Sequence, residues 1–264
     1  MPRFAANLSM LCTEVPFLDR FERAARSGFT AVEVQFPYAF EAREIRRRLD
    51  DLGLVMVLHN LPAGDWAAGD RGIACQPERS AEFRTGVDRA IDYAQVLGVS
   101  QLNCLAGIAP AGMPPTLAHD TLVANVAFAA AALKRHGLRL LIEPVNTFDV
   151  PGFIVHRTQQ AIDLIDECGA DNAFVQFDVY HAQRMEGELA ATLQTHLARI
   201  GHVQIADNPG RHEPGTGEIN YPFLFKHLDR IGYAGWVGCE YVPANGTEAG
   251  LGWLQGLGTA VGKN

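Results

Sequence analysis

Four short apolar runs in the second half of the chain each end on a side chain that can bind a cation or move a proton. RLLIE ends on Glu143, FVQFD on Asp178, HVQIAD offers Gln204 and then Asp207, and WVGCEY carries Glu240. A single acid at the end of such a run is more often a helix cap or a solvated loop residue. Polar groups at equivalent positions of four consecutive runs are poorly explained by capping. Burying three carboxylates together is costly unless a cation or shared protons offset their repulsion. Glu143, Asp178, Gln204 and Glu240 form an all-oxygen donor set that suits a hard divalent ion, Mg²⁺ or Mn²⁺. Without Cys or His in the set, zinc is the less natural choice.

Other residues stand near these ends, each with a plainer alternative. His181 follows Asp178 in DVYHAQ, and His59 closes an apolar run in LHNLPAGDW. Arg211 lies in ADNPGRHEPGTGEINY, whose Gly215, Thr216 and Gly217 can bring backbone close to a ligand or simply form a tight turn. Asn103 reads equally as a satisfied core amide. Trp66 sits in the long segment PAGDWAAGDRGIACQP, where it is either a cover for a site or a packing anchor. Irregular segments of that length in compact domains are often functional.

The elements that must position these groups follow from periodicity. Candidate strands are Arg3–Leu8, Ala31–Phe36, Leu54–His59, Gln101–Leu105, Arg139–Glu143, Phe174–Asp178, His202–Ile205 and Trp236–Tyr241. Amphipathic stretches lie between them. Phe17, Leu18, Phe21, Ala24 and Ala25 share a face ending at Gly28, and Ile45, Leu49 and Leu52 stop at Gly53. Ala161, Ile162, Leu164, Ile165 and Cys168 form another face, with Thr158 as the expected N-cap and Gly169 past the end. Alternating strands and helices imply parallel βαβ units with right-handed crossovers. The strand ends are spaced about 33 residues apart over a 264-residue chain, which matches eight units of one closed (β/α)8 TIM barrel. A doubly wound sheet is disfavoured because the first turn, SMLCTEVP, has no glycine for a phosphate. In the barrel, strand C-termini converge on one rim, where the polar ends would meet. A single domain spanning 1–264 is expected, with GTAVGKN as a frayed tail rather than a phosphate loop.

Composition narrows the partners. Lys and Arg number 22 against 30 Asp and Glu, a net charge of −8 that disfavours nucleic acid. The longest apolar stretch, Val126 to Leu133, is too short to span a bilayer, so no membrane partner is expected. The N-terminus MPRFAANLSMLCTEV lacks an export signal, and five cysteines without a CxxC pair fit a reducing compartment, so the location expected is cytoplasmic. The Ala-rich stretch Leu122–Leu133, read as an exposed helix, offers a homo-oligomer contact.

Six blocks carry a family resemblance: NLSMLCTEVPFLDRFERAARSGFTAVE, HNLPAGDWAAGDRGIA, LIEPVNTFDVPGF, QFDVYHAQRMEGEL, HVQIADNPGRHEPGTGEINYPFLF and GWVGCEY. Together they resemble the hydroxypyruvate isomerase family of xylose-isomerase-like TIM barrels. The sibling 2-oxo-tetronate isomerases share the NLSM and RHEP…GEINY blocks, but the HNLPAGDWAAGDRGIAC and EPVNTFDVPGF loops look more like the hydroxypyruvate enzyme. The resemblance implies metal contacts at Glu143, Asp178, Gln204 and Glu240, with Glu143 and Glu240 as the acid/base pair. Related ketose 3-epimerases carry a histidine where Gln204 stands, so a simple sugar epimerase is disfavoured. They also have a His matching His181 and an Arg matching Arg211 with a one-residue offset. His181 and Arg211 are therefore expected to bind the substrate, a small keto or hydroxy acid, and His59, at the end of its strand run, is expected to join them.

The implied reaction moves a carbonyl between adjacent carbons through an enediolate stabilised by the divalent ion. Three carboxylates and one M²⁺ leave a negative site, so an anionic substrate needs compensation. Arg211 is expected to supply it, because a guanidinium matches a carboxylate bidentately. The rival readings are an endonuclease-IV-like phosphodiesterase, which would need a histidine-rich zinc cluster, and a non-catalytic sugar-acid binder. The second has no use for two proton-transfer groups.

Overall fold

The strand runs are short and buried along nearly their whole length, as strands covered on both faces are, and they close on themselves in sequence order. The structure, a computed structural model, describes residues 1–255; the expected tail GTAVGKN lies outside them. The strands are β1 (Arg3–Asn7), β2 (Ala31–Val34), β3 (Val55–Asn60), β4 (Gln101–Cys104), β5 (Arg139–Ile142), β6 (Ala173–Asp178), β7 (Ile200–Ile205) and β8 (Trp236–Cys239). Each pairs in parallel with its neighbours, and β1 pairs with β8 to complete a closed barrel. The helices are α1 (Arg20–Arg26), α2 (Ala42–Leu52), α3 (Ser80–Leu97), α4 (Pro115–Lys134), α5 (Thr158–Cys168), α6 (Val179–Met185), α7 (Leu189–Thr195), α8 (Tyr221–Ile231) and the short α9 (Gly252–Gln255). This is the expected TIM barrel. Every strand falls within about two residues of its predicted bounds. The difference is functional at three ends: Gln35, Glu143 and Glu240 lie just past the last paired residue, free to form the rim.

Helix ends follow the glycines. Gly53 and Gly169 adopt left-handed φ values of 64° and 62° directly after α2 and α5. Thr158 is not the N-cap of α5. It is the first helical residue, and its amide and hydroxyl both donate to Glu186 Oε1, at 2.9 and 2.5 Å.

Two buried layers result. The larger lies between sheet and helices and includes Phe21, Ile45, Leu49, Val87, Leu133 and Leu228. The barrel interior holds a small apolar floor with Ala5, Ala31 and Leu141. Above it the register sets Asn7 opposite Glu33, Asn60 opposite Asn103, and Asp178 opposite Gln204, so polar side chains stack at common levels. The α4 helix is long and apolar enough to cross a membrane by length and composition alone. Here it is a barrel helix: Leu122, Val126, Ala129, Ala130, Ala132 and Leu133 are all buried within the chain. The opposite face keeps Ala124 and Ala131 exposed, with Val123, Ala127 and Phe128 half-buried, so the stretch is not exposed all round as expected but retains an outer face.

Candidate active site

Strand parity decides which rim residues meet. On β6 and β7, alternation from Asp178 and Gln204 reaches Gln176 and His202, and each of these is buried inside the barrel. At the top, a cavity of about 230 Å³ is lined by Glu143, Glu240, His181 and Arg211 together with Gln35, Asn60, Trp66, Arg71 and Asp149. Trp66 therefore borders the site, with its ring packed on Phe36 at 5.1 Å.

Glu240 is the most heavily bonded of the acids. Its Oε1 accepts from Asn7 Nδ2 at 2.9 Å, Gln35 Nε2 at 3.0 Å and Gln204 Nε2 at 3.2 Å. Its Oε2 accepts from the Arg211 guanidinium at 2.7 Å. Burial still pushes its pKa up to about 7, with the Arg211 charge working against the shift and Asp178 and Glu33 adding to it. Glu143 has one such donor, Asn103 Nδ2 at 2.7 Å. Burial, then the charges of Glu240 and Asp178, hold Glu143 well above the usual carboxylate range. Asn103 is thus more than a filler amide in the core.

Asp178 caps α6 through Oδ1, which accepts from the Tyr180 and His181 amides at 2.7 and 3.3 Å. Its Oδ2 is buried and has no hydrogen-bond partner. Ligand atoms of Glu143, Asp178 and His181 lie within 4.8 Å of one another. An orphaned carboxylate oxygen beside a second buried carboxylate fits a hard cation.

His181 has a defined tautomer. The Asn146 Oδ1 accepts from the Phe148 and Asp149 amides at 3.1 and 2.9 Å, which fixes its amide so that Nδ2 donates to His181 Nδ1 at 2.7 Å. Burial and the nearby Arg211 and Arg184 charges hold the imidazole pKa well below its ordinary value. A neutral ring accepting at Nδ1 carries its proton on Nε2, which lies 3.8 Å from both Glu143 Oε1 and Asp178 Oδ2. His181 therefore presents a donor rather than a lone pair.

Other expected residues are placed differently. His59 does not reach the cavity: its neighbour Asn60 takes the lining position, and a one-step change of parity sends a side chain to the other face of the sheet. His59 is fully buried against Tyr38, 3.2 Å from its hydroxyl, and burial pushes its pKa down to about 4. Asp207 is also absent from the cavity lining and instead holds the following loop by accepting four backbone amides: Asn208, Gly215, Gly217 and Ile219 at 2.8–3.1 Å. Gly217 fits there because a Cβ would lie 2.0 Å from the Asn208 carbonyl. That loop carries Arg211, at φ 53°, to Glu240. Gln204 turns its Oε1 to Gln176 Nε2 at 2.6 Å and its Nε2 to Glu33 and Glu240, so coordination through Oε1 requires the amide to turn over.

Sequence reasoning missed a second tier. Glu33, buried on β2, accepts from Asn7 at 3.0 Å and Gln204 at 2.8 Å, and its other oxygen lies 2.7 Å from His202 Nε2. Stepping back two residues from Gln35 and from Gln204 would have found Glu33 and His202. Arg71 carries no comparable signal, because it lies in an irregular loop.

The sequence profile of the xylose isomerase-like TIM barrel matches residues 21–257. The chain belongs to that family. Within it, the chain is 55% identical to the hydroxypyruvate isomerase of Escherichia coli (strain K12), covering 97% of this chain and 99% of the relative. It is 51% identical to the 2-oxo-tetronate isomerase of Cupriavidus necator, covering 97% and 98%. A crystal structure described as AP endonuclease, family 2, from Brucella melitensis superposes with a TM-score of 0.94 at 46% identity, covering 97% of this chain and 99% of that one. The chain is an isomerase of the hydroxypyruvate isomerase group within the xylose isomerase-like barrels.

Proposed function

We propose that the chain interconverts hydroxypyruvate and tartronate semialdehyde. The observation that carries this reading is the pair of buried carboxylates, Glu143 and Glu240, in one small cavity with Arg211 and the Nε2–H of His181. One Glu removes a proton from the hydroxyl-bearing C3, leaving an enediolate over C2 and C3. A proton then adds to C2, and the C3 hydroxyl proton passes to the C2 oxygen as the aldehyde forms, so that two protons change places and there is no net oxidation. Burial raises both carboxyl pKa values above the usual carboxylate range, Glu240 to about 7, and carboxylates so raised exchange such protons readily. Glu143, Asp178, Glu240 and, with its amide turned, Gln204 would hold Mg²⁺ or Mn²⁺. Such an ion would supply Lewis-acid stabilisation of the negative charge that develops. His181 Nε2–H and the remaining donors of Arg211 hold substrate oxygens, while Arg211 balances the charge of Glu240.

The sibling reading, 2-oxo-tetronate isomerisation, places the same chemistry on a longer acid and is favoured by the relative at 51% identity. Comparing kcat/KM for the three- and four-carbon keto acids with Mg²⁺ or Mn²⁺ decides between them. No turnover of either acid would sink the isomerase assignment for both substrates. Nicking of abasic DNA serves as the control for a phosphodiesterase, whose histidine-rich zinc cluster has little support in a cavity lined by His181 alone among the described histidines. Five free thiols suit a reducing cytoplasm, and neither nucleic acid nor membrane is a proposed partner.

A further inference from the structure

The cavity that an anionic substrate would enter is lined by buried carboxylates, and the arginine expected to receive it is committed to one of them. Arg211 is bonded to Glu240 at 2.7 Å and lies 4.0 Å from Asp178. Arg184, nearby, is paired with Asp149 at 3.0 Å. The cavity is lined by one other cation, Arg71, which forms no ion pair with a carboxylate among the described residues.

We propose that Arg71 is the residue that receives the substrate carboxylate and so selects sugar acids over neutral sugars; this rests on the isomerase reading above. One terminal nitrogen of Arg71 is spent on backbone carbonyls, Trp66 O at 3.1 Å and Asp70 O at 2.7 Å. The Nε–H and the second terminal nitrogen carry no bond to a described residue. Those two form one edge of the guanidinium, with the two-donor geometry that a carboxylate accepts. The plane itself is held by stacking on Trp66, 4.1 Å from the ring centroid.

The loop beneath is built to hold that edge still. Gly72, at φ 108°, lies so close to the β4 rim that a Cβ would sit 2.4 Å from the Leu105 carbonyl. Gly107 approaches from the other side, where a Cβ would sit 2.4 Å from the Gly72 carbonyl. The Cys75 amide donates to Ala106 O at 3.1 Å, and Asp70 is pinned by the Asp65 amide at 2.6 Å and by Arg79 at 2.8 Å. A pre-set guanidinium gives up little freedom when the ligand arrives. With C2 and C3 between the two catalytic acids, the C1 carboxylate of a three- or four-carbon keto acid occupies the same place. Arg71 therefore serves both acids and does not choose between their lengths.

The test compares hydroxypyruvate with its methyl ester, which has the same reacting carbons without the charge. Arg71→Met should lower the acid-over-ester ratio of kcat/KM at least about tenfold, as expected for losing a charge-assisted pair. Arg71→Lys, which keeps the charge and loses the fork, should fall between, and it carries the test if the Met variant does not fold. Calorimetric titration with D-glycerate and its methyl ester gives the same comparison without turnover, and the acid should lose affinity selectively in both variants. A ratio that moves less than twofold overturns the assignment. Equal losses on acid and ester overturn it too, since they indicate a damaged loop. If the wild-type chain binds D-glycerate through Arg71 but turns over neither keto acid, the isomerase reading fails and the Arg71 assignment stands.

Discussion

Asp207→Asn keeps the volume of the side chain and removes half of its accepting capacity. In the native loop, Oδ1 accepts from the Asn208 and Ile219 amides, and Oδ2 accepts from Gly215 and Gly217 at 2.8 and 2.9 Å. An asparagine can satisfy one of these pairs through its oxygen. Its NH₂ then points at two backbone donors that have no other acceptor. Leaving a fully buried donor unsatisfied costs about 1–3 kcal/mol, but Gly215 and Gly217 are exposed and their bonds only part-buried, so the two together cost roughly 1–3 kcal/mol if the loop stays closed. The chain can escape part of that cost by letting the loop lift, and the loop carries Arg211 away from Glu240 when it does. The variant should therefore lose stability within that range or lose kcat through displacement of Arg211, with the two effects trading against each other. Urea denaturation measures the first, steady-state turnover the second, and hydrogen exchange at Gly215 and Gly217 shows directly whether the loop has opened. A variant within about 0.5 kcal/mol of wild type, with full kcat and protected amides, would refute the role of this carboxylate.

Glu143→Gln and Glu240→Gln should each lower kcat by about 10²–10⁴, the usual contribution of general acid–base catalysis, and Glu240→Gln should also lower the melting temperature because it leaves the Arg211 guanidinium without its carboxylate. In D₂O the wild-type product should carry solvent deuterium on the carbon that receives the proton, and full retention of substrate hydrogen would point to a hydride shift instead. Because the folded chain holds Glu143 and Glu240 above their unfolded pKa values, Glu240 at about 7, deprotonation favours unfolding as pH rises. Without divalent ion, this pair should make the protein more stable near pH 5 than near pH 8. Added Mg²⁺ or Mn²⁺ should stabilise it most at the alkaline end, and a melting temperature that rises with pH in chelator would contradict this. At Gly238 a Cβ would lie 2.4 Å from both carboxylate oxygens of Glu33, so Gly238→Ala must push that side chain off its three donors. We expect a loss of roughly 2–4 kcal/mol in urea denaturation, the scale of overpacking plus unsatisfied buried partners.

The eight strands, their order and the rim positions of Glu143, Asp178 and Glu240 were legible because strand and helix periods are local properties of the chain. His59 shows where that legibility stops. The residue type was right for a site, but the strand runs through Asn60 rather than ending at His59, and one step of parity sent the imidazole to the outer layer. Thr158 was displaced by one position for a similar reason, since its hydroxyl found Glu186 rather than its own helix. Asp207 carried the expected chemistry and was diverted to four backbone amides that no local pattern announces.

What the sequence by itself determined is the barrel and the chemical character of its rim, since both depend on spacing along one strand at a time. Partnerships across the barrel were decided only by tertiary structure. That Glu240 faces Asn7, Gln35, Gln204 and Arg211, and that Glu33 meets His202 beneath it, joins residues up to 233 positions apart. Charge neutralisation falls steeply with distance through space and is indifferent to distance along the chain. For that reason Arg211, the arginine expected to meet the substrate, is bonded to Glu240, while Arg71, which lines the same cavity, has no carboxylate partner among the described residues.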